Sequence, residues 1–209
     1  MKEKAIPGRP NRKAQIVAAT EALLRERGVG GVTTRAIAEA VPCSEGAIYV
    51  HFKDRLELLL AVLQENLPEM LVPLKRLEMQ VGLATPHENL TTAVRGLMRF
   101  HERVAPMLCS MVAEPELLGR FQRSLQDAGK GPHRGIATLG KYIKQEQKRG
   151  RIAKSVNAMT AAQVLMASSF FHVFTTRLLG GGDKLDVKGL VNAAIGACDC
   201  FATVDGLIR

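Results

Sequence analysis

Between Thr33 and Arg55 the sequence concentrates side chains suited to hydrogen-bonding with anions and polar edges: Thr33, Thr34, Arg35, Ser44, Glu45, Tyr49, His51, Lys53 and Arg55. Thr33 and Ser44 each stand where a short helix would begin, and their hydroxyls can cap the free N–H groups there. The same hydroxyls and N–H groups could meet a phosphate instead, so a plain cap and a contact remain alternatives. Glu45, Gly46 and Ala47 form the first turn of the second short helix. Glu45 suits the positive end of its dipole. Gly46 would let that helix approach another backbone closely, or merely avoids a clash. Tyr49 has little reason to be core beside Ile48 and Phe52, so phosphate or base contact is favoured for it. His51 could make such a contact or pack against the next helix. Lys53 and Arg55 straddle the next helix start and suit phosphate, with a solvated surface as the alternative.

Other chemistries lack their residues. The chain contains no G-x-S-x-G, P-loop, H-E-x-x-H or paired C-x-x-C pattern. Cys198 and Cys200 would point about 200° apart on a helix and could not chelate one metal together. Cys43 is read as a small packed thiol, with oxidation sensing as the alternative. No catalytic set, metal or cofactor is expected, and an enzyme is the remote reading.

The elements that must position the polar cluster are helices. Ile16, Ala19, Leu23 and Leu24 recur at helical spacing, and Gly28 is placed to end that helix. Thr33 caps a second helix with Ile37, Ala38 and Val41 on its buried face. Ser44 caps a third, to about residue 50. Asp54 caps a fourth that runs through Leu56, Leu59, Leu60 and Leu63 toward Leu77, which Pro68 and Pro73 should kink or interrupt. Further helices are predicted over about 87–104, 106–128 with a break near Pro115, 133–149, 157–179 and 186–207, with a hinge at Gly180 to Asp183. Strand alternation is absent. The expectation is an all-α chain of about nine helices: a basic arm over 1–9, a three-helix reader over 10–53, and a larger helical bundle over 54–209.

Composition fits this frame. The 209 residues are 46% hydrophobic and 23% charged, which suits a globular protein with a buried core. The net charge of +9 favours a polyanionic partner. Lys2, Lys4, Arg9, Arg12 and Lys13 crowd the start, and Arg9 within Pro7 to Pro10 could enter a narrow minor groove; a solubilising tail is the alternative. No run looks apolar enough for a membrane span, the opening Met-Lys-Glu-Lys is unlike a signal peptide, and four cysteines make no disulfide framework. A cytoplasmic protein with no membrane partner is expected.

Two short helices joined by a tight turn and braced by a third can lay a recognition helix in the major groove. In order, Ile16, Ala19, Leu23, Gly28, Val32, Thr33, Thr34, Ile37, Ala38, Ser44, Gly46, Ile48, Tyr49, His51, Phe52, Arg55 and Leu58 closely resemble the reader domain of the tetracycline-repressor (TetR) family over about residues 10–60. The resemblance implies a DNA-binding regulator, most often a repressor, whose second domain binds a small ligand and dimerises. One position departs from the pattern. The turn usually carries glycine where this chain has Pro42, and proline cannot take the left-handed conformation. The second helix must end early or the turn must differ.

In the bundle, small and apolar residues on the last two helices allow close contact within one subunit or across a dimer. The resemblance favours a homodimer interface including Leu165, Leu190, Val191, Ala194, Ala197 and Phe201. Met98, His101, Met107, Met111, Met166, Phe170, Phe171 and Phe174 could line a cavity for an unidentified, mostly hydrophobic effector, with ordinary core as the alternative. The Lys141, Lys144 and Lys148 stripe is read as a solvated face, with an anionic ligand as the alternative. The functional expectation is a repressor on a palindromic DNA operator, released by a small effector; gating by a protein partner is the rival.

Overall fold

The computed structural model describes residues 11–180 and 184–196. Among these it contains nine α-helices and one 3-10 turn, and no strand, as the periodicity predicts. They are α1 (Arg12–Arg27), the 3-10 turn (Val29–Gly31), α2 (Thr34–Ala40), α3 (Glu45–His51), α4 (Arg55–Met79), α5 (Pro86–Met111), α6 (Pro115–Asp127), α7 (Pro132–Lys148), α8 (Ala158–Leu179) and α9 (Val187–Gly196). The helices fall into two compact units: residues up to Glu65 with Pro106–Arg123, and Asn66–Ala105 with the residues from Ser124 onward.

In the first unit, Ile16, Leu23, Leu24, Ile37, Ile48 and Leu59 are buried at periodic positions of α1 to α4, and Val32 and Phe52 are buried at the ends of the 3-10 turn and α3. Gly28 ends α1 at φ 67°, with its N–H on the Leu24 carbonyl. A left-handed residue is needed there, and glycine adopts it without a Cβ clash. Residues 106–123 belong to this unit through polar anchors that periodicity does not reveal. The Val29 N–H donates to Ser110 Oγ at 3.0 Å. Arg55 pairs with Glu114, and Arg120 Nη2 reaches Asp54 Oδ2 at 2.5 Å. Met107, Met111, Leu117 and Phe121 are buried there.

In the second unit, α8 packs on α7 and α9. Asn157 caps α8 by accepting from the N–H groups of Met159 and Thr160. Tyr142 lies in the interior, where Asn89 Nδ2 donates to its hydroxyl at 2.9 Å. Burial pushes the Tyr142 phenol up to about 12. Glu146 is fully enclosed; its Oε1 accepts from Gly82 N–H at 2.9 Å and its Oε2 meets Arg151 Nε at 3.2 Å. These bonds fix the chain between α4 and α5.

Three expectations are corrected. Pro68 and Pro73 do not interrupt α4, which runs unbroken over 25 residues. Each proline removes one backbone donor, but Met70, Leu74 and Leu77 stay buried on one side and hold the helical register. Pro106 likewise does not separate two helices: α5 continues to Met111, and the break falls at 112–114. Finally, α8 is long and apolar enough to cross a membrane by length and composition. Gln163, Ser168, Ser169 and His172 hide this from a search for contiguous apolar runs. Its Ala161, Ala162, Leu165, Met166 and Val173 are buried in the chain's own interior.

Candidate nucleic-acid interface

The reader is built from α1, α2 and α3, with α1 against α2 and α2 against α3. Thr33 Oγ1 accepts from Ala36 N–H at 3.1 Å and Ser44 Oγ from Ala47 N–H at 3.2 Å, so both hydroxyls are caps. A capping hydroxyl retains acceptor and donor capacity, and both residues remain exposed. The Pro42 turn takes the early-ending form. Helix α2 stops at Ala40, and Val41 is extended at φ −118°, ψ 97°, the conformation a following proline imposes. No residue from Val41 to Ser44 has positive φ, so the turn needs no glycine.

Helix α3 buries Ile48 and exposes Glu45, Gly46, Tyr49 and Val50. Ala47 and His51 are half-buried. Tyr49 is 59% exposed and Val50 81%. Val50 was not among the residues anticipated; the signal was present, since i and i+4 place it on the same row as Gly46. Thr34 Oγ1 donates to Glu45 Oε2 at 2.5 Å, joining the two helices of the motif. Arg35 lies on the α2 surface and pairs with Glu39 at 3.1 Å.

At the start of α4, Asp54 Oδ1 accepts from the Glu57 N–H at 3.0 Å, and Glu57 Oε2 accepts from the Lys53 N–H at 2.6 Å. The Glu57 N–H and then the Arg120 guanidinium hold the Asp54 carboxyl below its ordinary range. Lys53 is exposed and available to phosphate. Arg55 is half-buried and engaged with Glu114, so it is not the free phosphate ligand anticipated. Lys13 Nζ lies 5.4 Å from the Phe52 ring centroid. Thr33, Thr34, Tyr49, Lys53 and Arg55 also border a cleft of about 290 Å³ in this unit. Arg9 lies outside the described residues.

The anticipated effector residues divide between the two compact units. Met107 and Met111 are buried in the first unit, whereas Phe171 is 66% exposed on α8. In the second unit His101, Met166, Phe170, Phe174 and Met98 remain. His101 stands 5.4 Å from Phe170, edge to face, and Phe170 stacks on Phe174 at 6.4 Å. His101 Nδ1 is 3.0 Å from Ser169 Oγ, which donates to the Met166 carbonyl at 2.8 Å. With its single proton so used, Ser169 accepts from an Nδ1–H tautomer of His101. Burial lowers the imidazole to about 4, so it is neutral at physiological pH. The lysine stripe borders a separate cleft of about 390 Å³ with Gly140 and Met159.

The anticipated dimer residues also divide. Leu165 and Val191 are fully enclosed within their own chain and serve its core. Leu190 and Ala194 are half-buried, while Ala197 and Phe201, with Cys198 and Cys200, lie outside the described residues. One row of outward apolar positions on α8 is Val164, Ala167, Phe171 and Leu178, with Phe174 half-buried among them. Their spacing alternates three and four, the period of a helix–helix seam.

Two short capped helices at a tight turn, with an exposed face on the second, define a helix-turn-helix DNA-binding protein. Residues 16–62 match the family described as bacterial regulatory proteins, tetR family. The HTH-type transcriptional repressor BepR of Brucella suis biovar 1 (strain 1330) is 26% identical over 155 residues, covering 73% of this chain and 74% of BepR. A TetR-family transcriptional regulator from Mesorhizobium loti MAFF303099 shares the fold with a TM-score of 0.66 and 17% identity, over 89% of this chain and 94% of that one. The regulator FadR from Bacillus subtilis, solved in complex with stearoyl-CoA, shares it with a TM-score of 0.56 and 20% identity, over 87% and 94%. Residues 16–62 are therefore similar to the DNA-binding domain of tetR-family regulatory proteins, and the chain shares its fold with a TetR-family regulator. Its relatives are regulators, not enzymes.

Proposed function

We propose that this regulator is a repressor that binds a palindromic operator as a homodimer and releases it when a small, mostly apolar effector binds. The observation that carries the reading is the exposed face of α3, held by the Thr33 and Ser44 caps. An exposed polar and apolar face on a short, capped helix suits insertion into a major groove. Contacts from Thr33, Thr34, Ser44 and Lys53 to phosphate would fix the register, and Arg9, Arg35 and His51 are further candidates. BepR, a repressor, supports the sign of regulation.

Dimerisation is assigned to the Val164, Ala167, Phe171, Phe174 and Leu178 seam of α8, with Leu190 and Ala194 of α9. The effector is assigned to the second unit, around His101, Met98, Met166, Phe170 and Phe174. FadR with its stearoyl-CoA supports an apolar ligand. The place of action is the cytoplasm, where the operator is.

Selection of binding sites from random duplexes with the purified protein tests the DNA reading. An enriched palindrome is expected, and a failure to enrich any sequence overturns it. Thermal-shift screening with hydrophobic compounds, followed by operator release, tests the effector. The exposed Phe171, Leu178 and Leu179 favour a second reading, gating by a protein partner on α8. Compounds that stabilise the protein yet leave operator affinity unchanged would support that alternative.

A further inference from the structure

Helix α3 holds no Arg, Lys, Asn or Gln. The side chains that read purines bidentately in the major groove are Arg or Lys on guanine and Asn or Gln on adenine. None is available from this helix. Its exposed residues form two neighbouring rows at i, i+4 spacing: Glu45 with Tyr49, and Gly46 with Val50. The first row ends in a carboxylate, an acceptor without a donor. In the major groove a carboxylate is repelled by the guanine N7 and O6 acceptors and matches the cytosine N4 amino group. The carboxylate is also positioned, because Thr34 Oγ1 holds Oε2 at 2.5 Å. The second row is apolar. Val50 is 81% exposed, and no packing among the described residues covers it. Beside it Gly46 leaves a gap: a Cβ built there meets nothing nearer than Ser44 Oγ at 3.9 Å. A bare backbone next to an exposed isopropyl group fits the 5-methyl of thymine.

We propose that α3 reads its half-site from pyrimidines, with Glu45 accepting from a cytosine N4 amino group and the Gly46–Val50 row receiving a thymine methyl. Thr34 is the positioning residue for Glu45. This rests on the DNA-reading function proposed above and adds the chemistry of the bases chosen.

The full-length protein is used for site selection, and the enriched duplex is then titrated by fluorescence anisotropy. Replacing one thymine by deoxyuridine removes only the methyl group. At the thymine read by Val50 this should weaken wild-type binding several-fold and leave the Val50→Ala protein unaffected. Replacing the cytosine read by Glu45 should cost about 5–150-fold, the usual effect of a mismatch. Selection with Glu45→Gln should move that position toward adenine. Gly46→Ala is a control on folding. It meets no clash and replaces glycine inside a helix, so its melting temperature should rise while its operator affinity falls. If no duplex is enriched, the DNA-reading function fails and this proposal with it. If a duplex is enriched but every deoxyuridine is neutral and Glu45→Gln selects the same sequence, the proposal alone is overturned.

Discussion

The Val29 N–H donates to the hydroxyl of Ser110, 81 residues away, at 3.0 Å. The same Ser110 Oγ donates to the Pro106 carbonyl at 2.6 Å, and its Cβ would lie 3.3 Å from a Cβ placed on Gly28. One small side chain on α5 thus closes the turn between α1 and α2. Ser110→Ala leaves the buried Val29 without its acceptor and should destabilise the protein by about 1–2 kcal/mol. Gly28→Ala forces a Cβ onto φ 67° against that serine and should cost at least as much. Urea denaturation of both variants checks this; an unchanged midpoint for Ser110→Ala would show the bond to be dispensable.

Arg55 should become a phosphate ligand when Glu114 is removed. Its guanidinium is engaged with the Glu114 carboxylate in the free protein, and both side chains are about a third exposed. Glu114→Ala should leave folding stability within about 1 kcal/mol, because partly exposed pairs contribute little. It should raise operator affinity and steepen the slope of log affinity against log salt by about 1 per half-site. An unchanged slope would place Arg55 away from the backbone of the DNA.

Stability should fall between pH 6.5 and pH 4 because of His101. In the unfolded chain the imidazole takes up a proton near 6.5, whereas in the fold burial lowers it to about 4. The unfolded chain therefore holds more protons across that window, and stability drops as pH falls through it. The full loss is on the order of 3 kcal/mol. His101→Phe should remove this component. Denaturation at pH 7.5 and 5.0, compared for the two proteins, measures it; parallel losses would mean that other groups dominate.

Charge placed on the outward side of α8 should separate subunits without unfolding them. Phe171 is 66% exposed, so Phe171→Glu disturbs no core in the single chain. It should yield a folded monomer by light scattering, with sharply weaker operator binding. Leu165→Glu buries an unpaired carboxylate in the subunit's own interior and should abolish folding instead. A Phe171→Glu protein that remains dimeric would remove α8 from the interface.

Two helical glycines should respond oppositely to alanine. At Gly96 an added Cβ would lie 2.6 Å from Pro73 Cγ and 2.8 Å from the Glu69 carbonyl oxygen. Backbone cannot yield easily there, so Gly96→Ala should cost about 1–3 kcal/mol. At Gly140 the nearest atoms are Met159 Cε at 3.5 Å and the Ala158 carbonyl oxygen at 3.6 Å, ordinary contacts. Gly140→Ala should stabilise α7 by about 0.5–1 kcal/mol. Melting temperatures that move in the same direction would contradict the packing at α4 and α5.

The sequence by itself determined what is local. Helix starts at Thr33, Ser44 and Asp54, the stop at Gly28 and the buried stripe from Ile16 to Phe52 follow from capping chemistry and a 3.6-residue period, both written within a few positions of one another. The exposed row of Gly46 and Val50 was legible by the same rule. Tertiary structure decided whatever depends on residues far apart. Arg55 reads as a surface cation until Glu114, 59 residues later, takes its charge. Leu165 and Phe171 look alike in an apolar stripe, and only the packing of α8 on α7 and α9 makes one core and the other surface. Met107 and Met98 lie on one helix, yet their compact units differ. Periodicity states that a side is apolar; which neighbour covers it is fixed by the contacts of the folded chain.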